Sequence, residues 1–366
     1  MQDNGLNLYG VDLFGNPIKP KKSGPLAERF EFPPFSVLNA REGEWQERKR
    51  AWIGMGIKSE LGRGGGLTMS AEEVTTQNLN YYRNKEKAKL SPGGSTDGAG
   101  RPIEQTESSK KYNVNAHLDP AAQKALGCYY GANAIERAAG SQTGTSIFDP
   151  VLCELMYHWF APPRGQIVDP FAGGSVRGIL AGLMGYKYHG IDLSAPQVEA
   201  NRIQLAEIAP EAEVEWVAGD SLEKLSEAPE ADFIMTCPPY GDLEVYSDDP
   251  RDLSTMEYHT FIAAYKRIIL RCYQKLKNNR LACFVVGDFR DRRTGNYRGF
   301  VADTVNAFRE VGMELYNDAI LVTAVGSLPI RVSNQFEKSR KLGKTHQNIL
   351  VFAKGNPVKA FAGKSV

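Results

Sequence analysis

The sequence lacks most of what would make a disulfide scaffold, a zinc site or a membrane protein. Its five cysteines, Cys128, Cys153, Cys237, Cys272 and Cys283, are odd in number and form no C-x-x-C pair. That argues against a disulfide framework or a Cys-rich metal site and for a reducing compartment. No apolar run approaches the roughly 20 residues of a membrane span, and the opening "MQDNGLNLYG" is polar with no apolar h-region. A cytoplasmic location without membrane contact is expected. Charge of one sign is also missing: the formal net charge is +1, so any nucleic-acid surface has to be a local patch. No His/Cys/Asp constellation suggests a metal, and no Ser-His-Asp arrangement suggests a hydrolase. What is present is ordinary globular material. With 42% hydrophobic and 24% charged residues over 366 positions, the chain can build a full core in one large domain or two.

The texture changes near residue 144. Residues 1–143 read as an N-terminal extension and a candidate surface for target contact. It starts with a basic, Pro-punctuated tail, "NPIKPKKSGP", and an aromatic block at 30–63. From there to about residue 112 the chain is Gly-, Ser- and Lys-rich, which predicts a flexible connection or a substrate-ordered loop. Residues 144–366 alternate strand and helix patterns. In "SIFDPVLCELMYHWF", Asp149 is placed as N-cap and Pro150 at the first helical position, with Val151, Leu152, Leu155, Met156 and Trp159 on one face. "QIVDPFAGG", "YKYHGIDLS", "VEWVAGD", "DFIMTC" and "LACFVVGDF" read as strands separated by helices, the pattern of parallel βαβ units. "DAILVTAV" and "QNILVFAKG" are expected to add an antiparallel edge. The predicted fold is a doubly wound α/β sheet.

In such sheets ligands bind outside the carboxyl ends of the strands, near the switch in strand order. Three predicted strand ends carry suggestive chemistry. Asp169-Pro170-Phe171-Ala172-Gly173-Gly174-Ser175 has the glycines for close backbone approach. It is neither G-x-G-x-x-G nor a P-loop. Asp192, 23 positions later, is placed to accept from ribose hydroxyls, and Asp220 is placed to accept from an adenine amino group. Taken singly, each is equally a turn or a helix cap. Together they describe a ligand with adenine and ribose but no phosphate cradle, which suggests S-adenosylmethionine. A fourth strand end, "DFIMTCPPY", sets two prolines and an aromatic ring where neither helix nor sheet can continue.

These residues resemble the amino-methyltransferases that act on nucleic acid. "DPFAGGS" is similar to their methionine-binding loop, "CPPY" to their (Asp/Asn/Ser)-Pro-Pro-(Tyr/Phe) catalytic loop, and "GTSIFDPVLCELMYHWF" to the segment that completes their cofactor pocket. The likeness covers about 144–354, and "FPPFSVLNAREGEWQERKRAW" resembles the N-terminal part of phage-encoded DNA methylases. The resemblance implies a class I, Rossmann-like fold and S-adenosylmethionine as cofactor. Ser146 and Phe148 would flank the methionine end, Asp169, Ala172 and Gly173, with the adjoining Gly174, would hold it, and Asp192 would bind ribose. Pro238 would present a carbonyl to the target amino group, held rigid by Pro239, and Tyr240 would stack on the extruded base. The implied substrate is an exocyclic amino group, adenine N6 or cytosine N4, in DNA, with host cytoplasm as the location if the chain is phage-encoded and restriction–modification as one setting.

Cys237 departs from the pattern, standing where Asp, Asn or Ser is usual, and a thiol is a weak acceptor. It is open whether it is a tolerated small residue, a nucleophile for pyrimidine C5 chemistry, or part of a silent site. An RNA methyltransferase and a catalytically silent DNA-binding protein are the competing functions. For target contact the basic candidates are Arg290, Arg292, Arg293 and Arg298, then Lys338, Arg340, Lys341 and Lys344, and lastly Arg48, Lys49 and Arg50 with Trp45 and Trp52. Asp288, ending its predicted strand, is placed to touch base or cofactor.

Overall fold

Strands that are apolar on both sides finish in one sheet covered on both faces. The computed structural model describes residues 8–9, 22, 24–41, 43–58, 148–241, 246–325 and 328–361. In chain order its elements are α1 (Pro25–Phe30), β1 (Val37–Asn39), α2 (Gly43–Gly54), α3 (Pro150–Phe160), β2 (Gln166–Asp169), α4 (Val176–Leu183), β3 (Lys187–Asp192) and α5 (Ala195–Ile208). They continue with β4 (Val214–Ala218), α6 (Ser221–Lys224), β5 (Ala231–Thr236), α7 (Tyr258–Lys275), β6 (Leu276–Val286), α8 (Phe300–Glu310), β7 (Glu314–Val322), α9 (Leu328–Ser339), β8 (His346–Lys354) and α10 (Pro357–Ala360). The chain divides into two compact units, Met1–Arg63 with Ile147–Val366 and Gly64–Ser146. Every described residue belongs to the first; the Gly-, Ser- and Lys-rich stretch lies outside the described residues.

The sheet order is β1-β7-β8-β6-β5-β2-β3-β4. Among the described strands β8 alone runs antiparallel to its neighbours, β6 and β7. The expected antiparallel pair is therefore present, but it is β1, parallel to β7, that forms the edge. The chain winds β2, β3, β4 to one side and resumes with β5 on the other side of β2. The switch point thus falls between the carboxyl ends of β2 and β5.

Period-2 alternation divides the strand side chains between two cores. Ile167, Phe233, Met235, Leu281, Cys283, Val285, Ile349 and Val351 face one cluster with α3 and α4. Val168, Ile234, Ala282, Phe284, Val286, Leu350 and Phe352 face the other with α7 and α8. A strand buried on both sides needs no polar alternation, which is why "LACFVV" reads as a continuous apolar run.

Helix α3 starts as expected: Asp149 caps it by accepting from the Val151 and Leu152 amides, with Pro150 in the first turn. Its burial differs from a one-face helix, since every residue from Pro150 to Tyr157 is buried. The cause is α2, whose Trp45 and Trp52 belong to the same core as α3. Trp45 Nε1 donates to Asp149 Oδ1 (3.2 Å), Lys49 Nζ to Asp149 Oδ2 (3.0 Å), Trp52 Nε1 to Glu154 Oε2 (2.7 Å) and Arg48 Nε to the same oxygen (2.6 Å). This corrects one expectation. The Trp45–Trp52 block is not a stacking surface for nucleic acid, because both tryptophans are 1% exposed and Arg48 and Lys49 are paired with α3 carboxylates.

Candidate active site

The loop after β2 turns sharply at Gly173, whose φ of +52° is costly for residues with a Cβ. Two partners hold the turn: the Gly173 amide donates to Asp192 Oδ2 (2.8 Å) and its carbonyl accepts from Asn201 Nδ2 (2.8 Å). Ala172 N donates to Ile191 O (2.9 Å), tying the loop to β3. Ala172 and Gly174 are buried beneath it.

Asp169 lies at the base of this loop and is fully buried. Its Oδ2 accepts from Arg177 Nε (2.6 Å) and Tyr188 OH (2.8 Å), its Oδ1 from Thr236 Oγ1 (2.6 Å) and Phe171 N (3.1 Å). The carboxylate is turned inward, so it acts on the loop's shape and not as an exposed ligand group. Arg177, on α4 and 4% exposed, completes the unit. Its Nη2 donates to the Phe171 and Ala172 carbonyls (2.6 and 3.0 Å), and its guanidinium sits 4.6 Å from the Phe148 ring centroid. The Asp169 charge keeps it protonated despite burial. Sequence reading missed Arg177; the available signal was a lone Arg inside the apolar helix "VRGILAGL".

Asp192 ends β3 half-buried, with Oδ1 accepting from Ser194 N (2.9 Å) in addition to the Gly173 bond. Asp220 ends the β4 segment and caps α6 through Leu222 N (2.9 Å). Ser221 Oγ donates to the Pro170 carbonyl, joining the β4 end to the glycine loop. Phe148, Ala172, Gly173, Asp192 and Asp220 therefore line up along the carboxyl ends of β2, β3 and β4. Ser146 lies outside the described residues.

Across the switch point, β5 ends at Thr236 and leads into Cys237-Pro238-Pro239-Tyr240. The Thr236–Asp169 bond couples this turn directly to the glycine loop. Cys237 is half-buried, with Sγ 3.5 Å from Tyr240 OH. That hydroxyl also accepts from Gln347 Nε2 on β8 (2.9 Å), and the Tyr240 ring lies 6.2 Å from the Phe300 ring. Burial pushes the Tyr240 phenol well above its usual pKa, so it stays neutral. A side chain at Gly287, just after β6, would meet the Tyr240 ring at 3.4 Å. Gln347 is unforeseeable from sequence, since the reversal of β8 brings a residue 107 positions away to the turn after β5. Replacing Gln347 by Leu removes a donor to a half-buried hydroxyl, about 1 kcal/mol by ordinary hydrogen-bond values. A fall of roughly 5-fold in turnover with unchanged fold, read by steady-state kinetics and circular dichroism, is expected.

Asp288 is used structurally: its Oδ1 accepts from the Phe289, Gly299 and Phe300 amides, closing the loop before α8. Lys344 Nζ donates to the Asp288 carbonyl (3.3 Å), and burial lowers its pKa. Beyond it, Arg290 and Lys341 border a cleft, together with Arg292 and Lys338. Arg293 is exposed outside that cleft, contributing its backbone amide to Asp291 Oδ1 (2.8 Å). Among the described residues no group of three or more His, Cys, Asp or Glu side chains is arranged to hold a metal ion, and no helix is long and apolar enough to cross a membrane.

No family model and no curated protein matches the sequence. Solved structures with a likeness to it include methyltransferases. TrmN from Thermus thermophilus is 14% identical over 56% of this chain and 48% of that one, with a TM-score of 0.38. The magnesium protoporphyrin IX methyltransferase of Synechocystis PCC 6803, solved with bound SAM, is 10% identical over 66% of this chain and 100% of that one, at 0.37. A DNA modification methylase, also of Thermus thermophilus, is 21% identical over 37% of this chain and 51% of that one, at 0.28. The chain thus spans about half the length of the first and third of these.

Proposed function

We propose that this chain is an S-adenosylmethionine-dependent DNA methyltransferase acting on an exocyclic amino group, adenine N6 or cytosine N4, of an extruded base. The observation that carries the reading is the Cys237-Pro238-Pro239-Tyr240 turn at the switch point, hydrogen-bonded through Thr236 to the residue beneath the glycine loop.

The cofactor fits the residues present. Gly173 and Ala172 form a turn open to close backbone approach, and Asp192 brings a carboxylate, half-buried, to the end of the neighbouring strand. Gly173, Ala172 and Phe148 would hold the methionine end, Asp192 the ribose and Asp220 the adenine. When bound, the cofactor supplies an electrophilic methyl group on a sulfonium. The chain's own residues supply position. A base amino group is a poor nucleophile because its lone pair is delocalised into the ring. Hydrogen-bond acceptors on its two hydrogens turn that lone pair toward the methyl donor, and the rigid Pro238 carbonyl is one such acceptor. Stacking on Tyr240, about 1–3 kcal/mol per base, offsets the few kcal/mol of extrusion. Cys237 Sγ is directed at the Tyr240 hydroxyl, which supports a packing role for it over that of a nucleophile.

Mass spectrometry of nucleosides from DNA and RNA incubated with the protein and methyl-labelled S-adenosylmethionine tests this. Label on N6-methyladenine or N4-methylcytosine deoxynucleosides supports it. Label only in RNA moves the substrate, label on pyrimidine C5 makes Cys237 a nucleophile, and no label in either polymer overturns methyl transfer to nucleic acid. A separate prediction concerns Asp192. Asp192→Asn removes the charge facing the ribose hydroxyls and weakens the acceptor for Gly173 N. Hydrogen bonds to charged groups are worth about 1.5–3 kcal/mol. Cofactor Kd is therefore expected to rise roughly 10- to 100-fold in calorimetric titration, with the folded state retained.

A further inference from the structure

We infer that the basic cleft between residues 290–295 and 335–341 seats a backbone phosphodiester of the nucleic acid whose base is being modified. This rests on the nucleic-acid reading above and adds to it a second site for the same nucleic acid. The cleft has a volume of about 390 Å³, and Arg290, Arg292, Lys338 and Lys341 line it with Asp291 and Gln335. Its one carboxylate is already engaged: Asp291 pairs with Arg298 (2.9 Å) and accepts from the Arg293 and Thr294 amides (2.8 and 2.7 Å). Cationic charge therefore dominates the walls, which come from two segments about 45 residues apart in sequence.

Local geometry preforms the cleft. The loop is closed by Gly295 N donating to Asp291 O (2.8 Å) and Asp291 N to Asn296 O (2.9 Å). Gly295 has φ +75°, which favours glycine at the turn, and the Lys341 ammonium packs directly against it. The Arg290 guanidinium lies 3.9 Å from the Tyr297 ring centroid, and its Nη1 donates to the Gly295 carbonyl (2.9 Å). These contacts fix its plane before any ligand arrives, lowering the entropy lost when a planar guanidinium grips phosphate oxygens.

The cleft also adjoins the catalytic turn. Gly287 lies against the Tyr240 ring, and Arg290 follows it by three residues. Lys344 Nζ bonds Asp288 O, and Lys341 precedes it by three residues. Three residues span at most on the order of 10 Å, the rise of about three nucleotides along one strand. A phosphate held there would lie within a few nucleotides of the extruded base.

Fluorescence anisotropy with a labelled 20-base-pair DNA duplex, and in parallel the same sequence as RNA, measured across a sodium chloride series, tests the inference. The variant is Arg292→Gln with Lys338→Gln, two exposed side chains. Wild-type affinity for DNA is expected to fall linearly in log–log with salt, and the variant to bind more weakly with a slope shallower by about 1. If wild type binds DNA with that salt dependence and the variant reproduces its slope, the cleft is not the seat, while the nucleic-acid reading stands. If wild type binds neither polymer, the reading itself falls and takes the inference with it. The same loss of slope on RNA alone keeps the phosphodiester seat and overturns the DNA assignment.

Discussion

Tyr240→Ala is expected to lower the rate of methyl transfer by about two orders of magnitude while leaving cofactor affinity unchanged. Losing a base stack costs about 1–3 kcal/mol, and 1.4 kcal/mol is tenfold in rate. The upper end applies because the ring is also what makes extrusion of the base favourable. The residues proposed for the cofactor lie on the other side of the switch point, after β2, β3 and β4, and none contacts Tyr240 through a hydrogen bond to its hydroxyl; that group instead meets Gln347 and Cys237. Tyr240→Phe separates two roles, since it keeps the ring and loses only the hydroxyl. It is expected to behave like the Gln347 variant, with a loss of roughly 5-fold. Single-turnover assays with labelled cofactor, paired with calorimetric titration, measure both quantities. Native transfer rates in Tyr240→Ala would remove base stacking from the mechanism.

A second large effect is expected at Arg177. Replacing it by Met leaves the fully buried Asp169 carboxyl without its ion-pair partner. Breaking one side of a buried ion pair typically destabilises by about 3–5 kcal/mol. The same substitution strips the Phe171 and Ala172 carbonyls of their donor, so the glycine loop loosens along with the core beneath it. Urea denaturation should therefore find a large drop in midpoint, and any folded fraction should bind cofactor poorly. Arg177→Met combined with Asp169→Leu removes both charges and is expected to recover part of the stability, because it leaves no unpaired carboxylate. It also discards the anchor for Thr236, so catalytic activity should not recover with it. Identical urea midpoints for wild type and Arg177→Met would show that the pair is not holding the loop.

What the sequence disclosed depended on how local the cause was. Strands β2 and β5 and the apolar second parts of β6 and β8 are short runs stopped by Pro, Gly or a charge, and that pattern needs no knowledge of neighbours. The polar starts of β6 and β8 instead join the sheet through pairing with distant strands. The cap at Asp149 is as local as the apolar runs, accepting from amides two and three residues ahead. Asp169 was legible as a position but not as a state: its partners Tyr188 and Thr236 lie 19 and 67 residues away, and only the sheet order brings them together. The basic clusters divided the same way. Charge and aromatics look alike in the 45–52 block and in the 290–298 loop. Yet one is drawn inward by Asp149 and Glu154 about 100 residues away, and the other stays at the surface, where Arg290 stacks on its near neighbour Tyr297.

The reversal of β8 has a consequence for the order of synthesis. β8 leaves the ribosome after both strands it separates, β6 and β7, and pairs with each along most of its length. Until it arrives, β7 and β1 have no hydrogen-bonded connection through the sheet to the strands that carry the glycine loop and the catalytic turn. The same late strand delivers Gln347 to Tyr240, and the segment entering it delivers Lys341 to the cleft. A nascent chain stalled short of residue 346 therefore holds the glycine loop and the β3 and β4 ends but neither a joined sheet nor a braced Cys237–Tyr240 turn, so competence for the proposed reaction arrives only with β8.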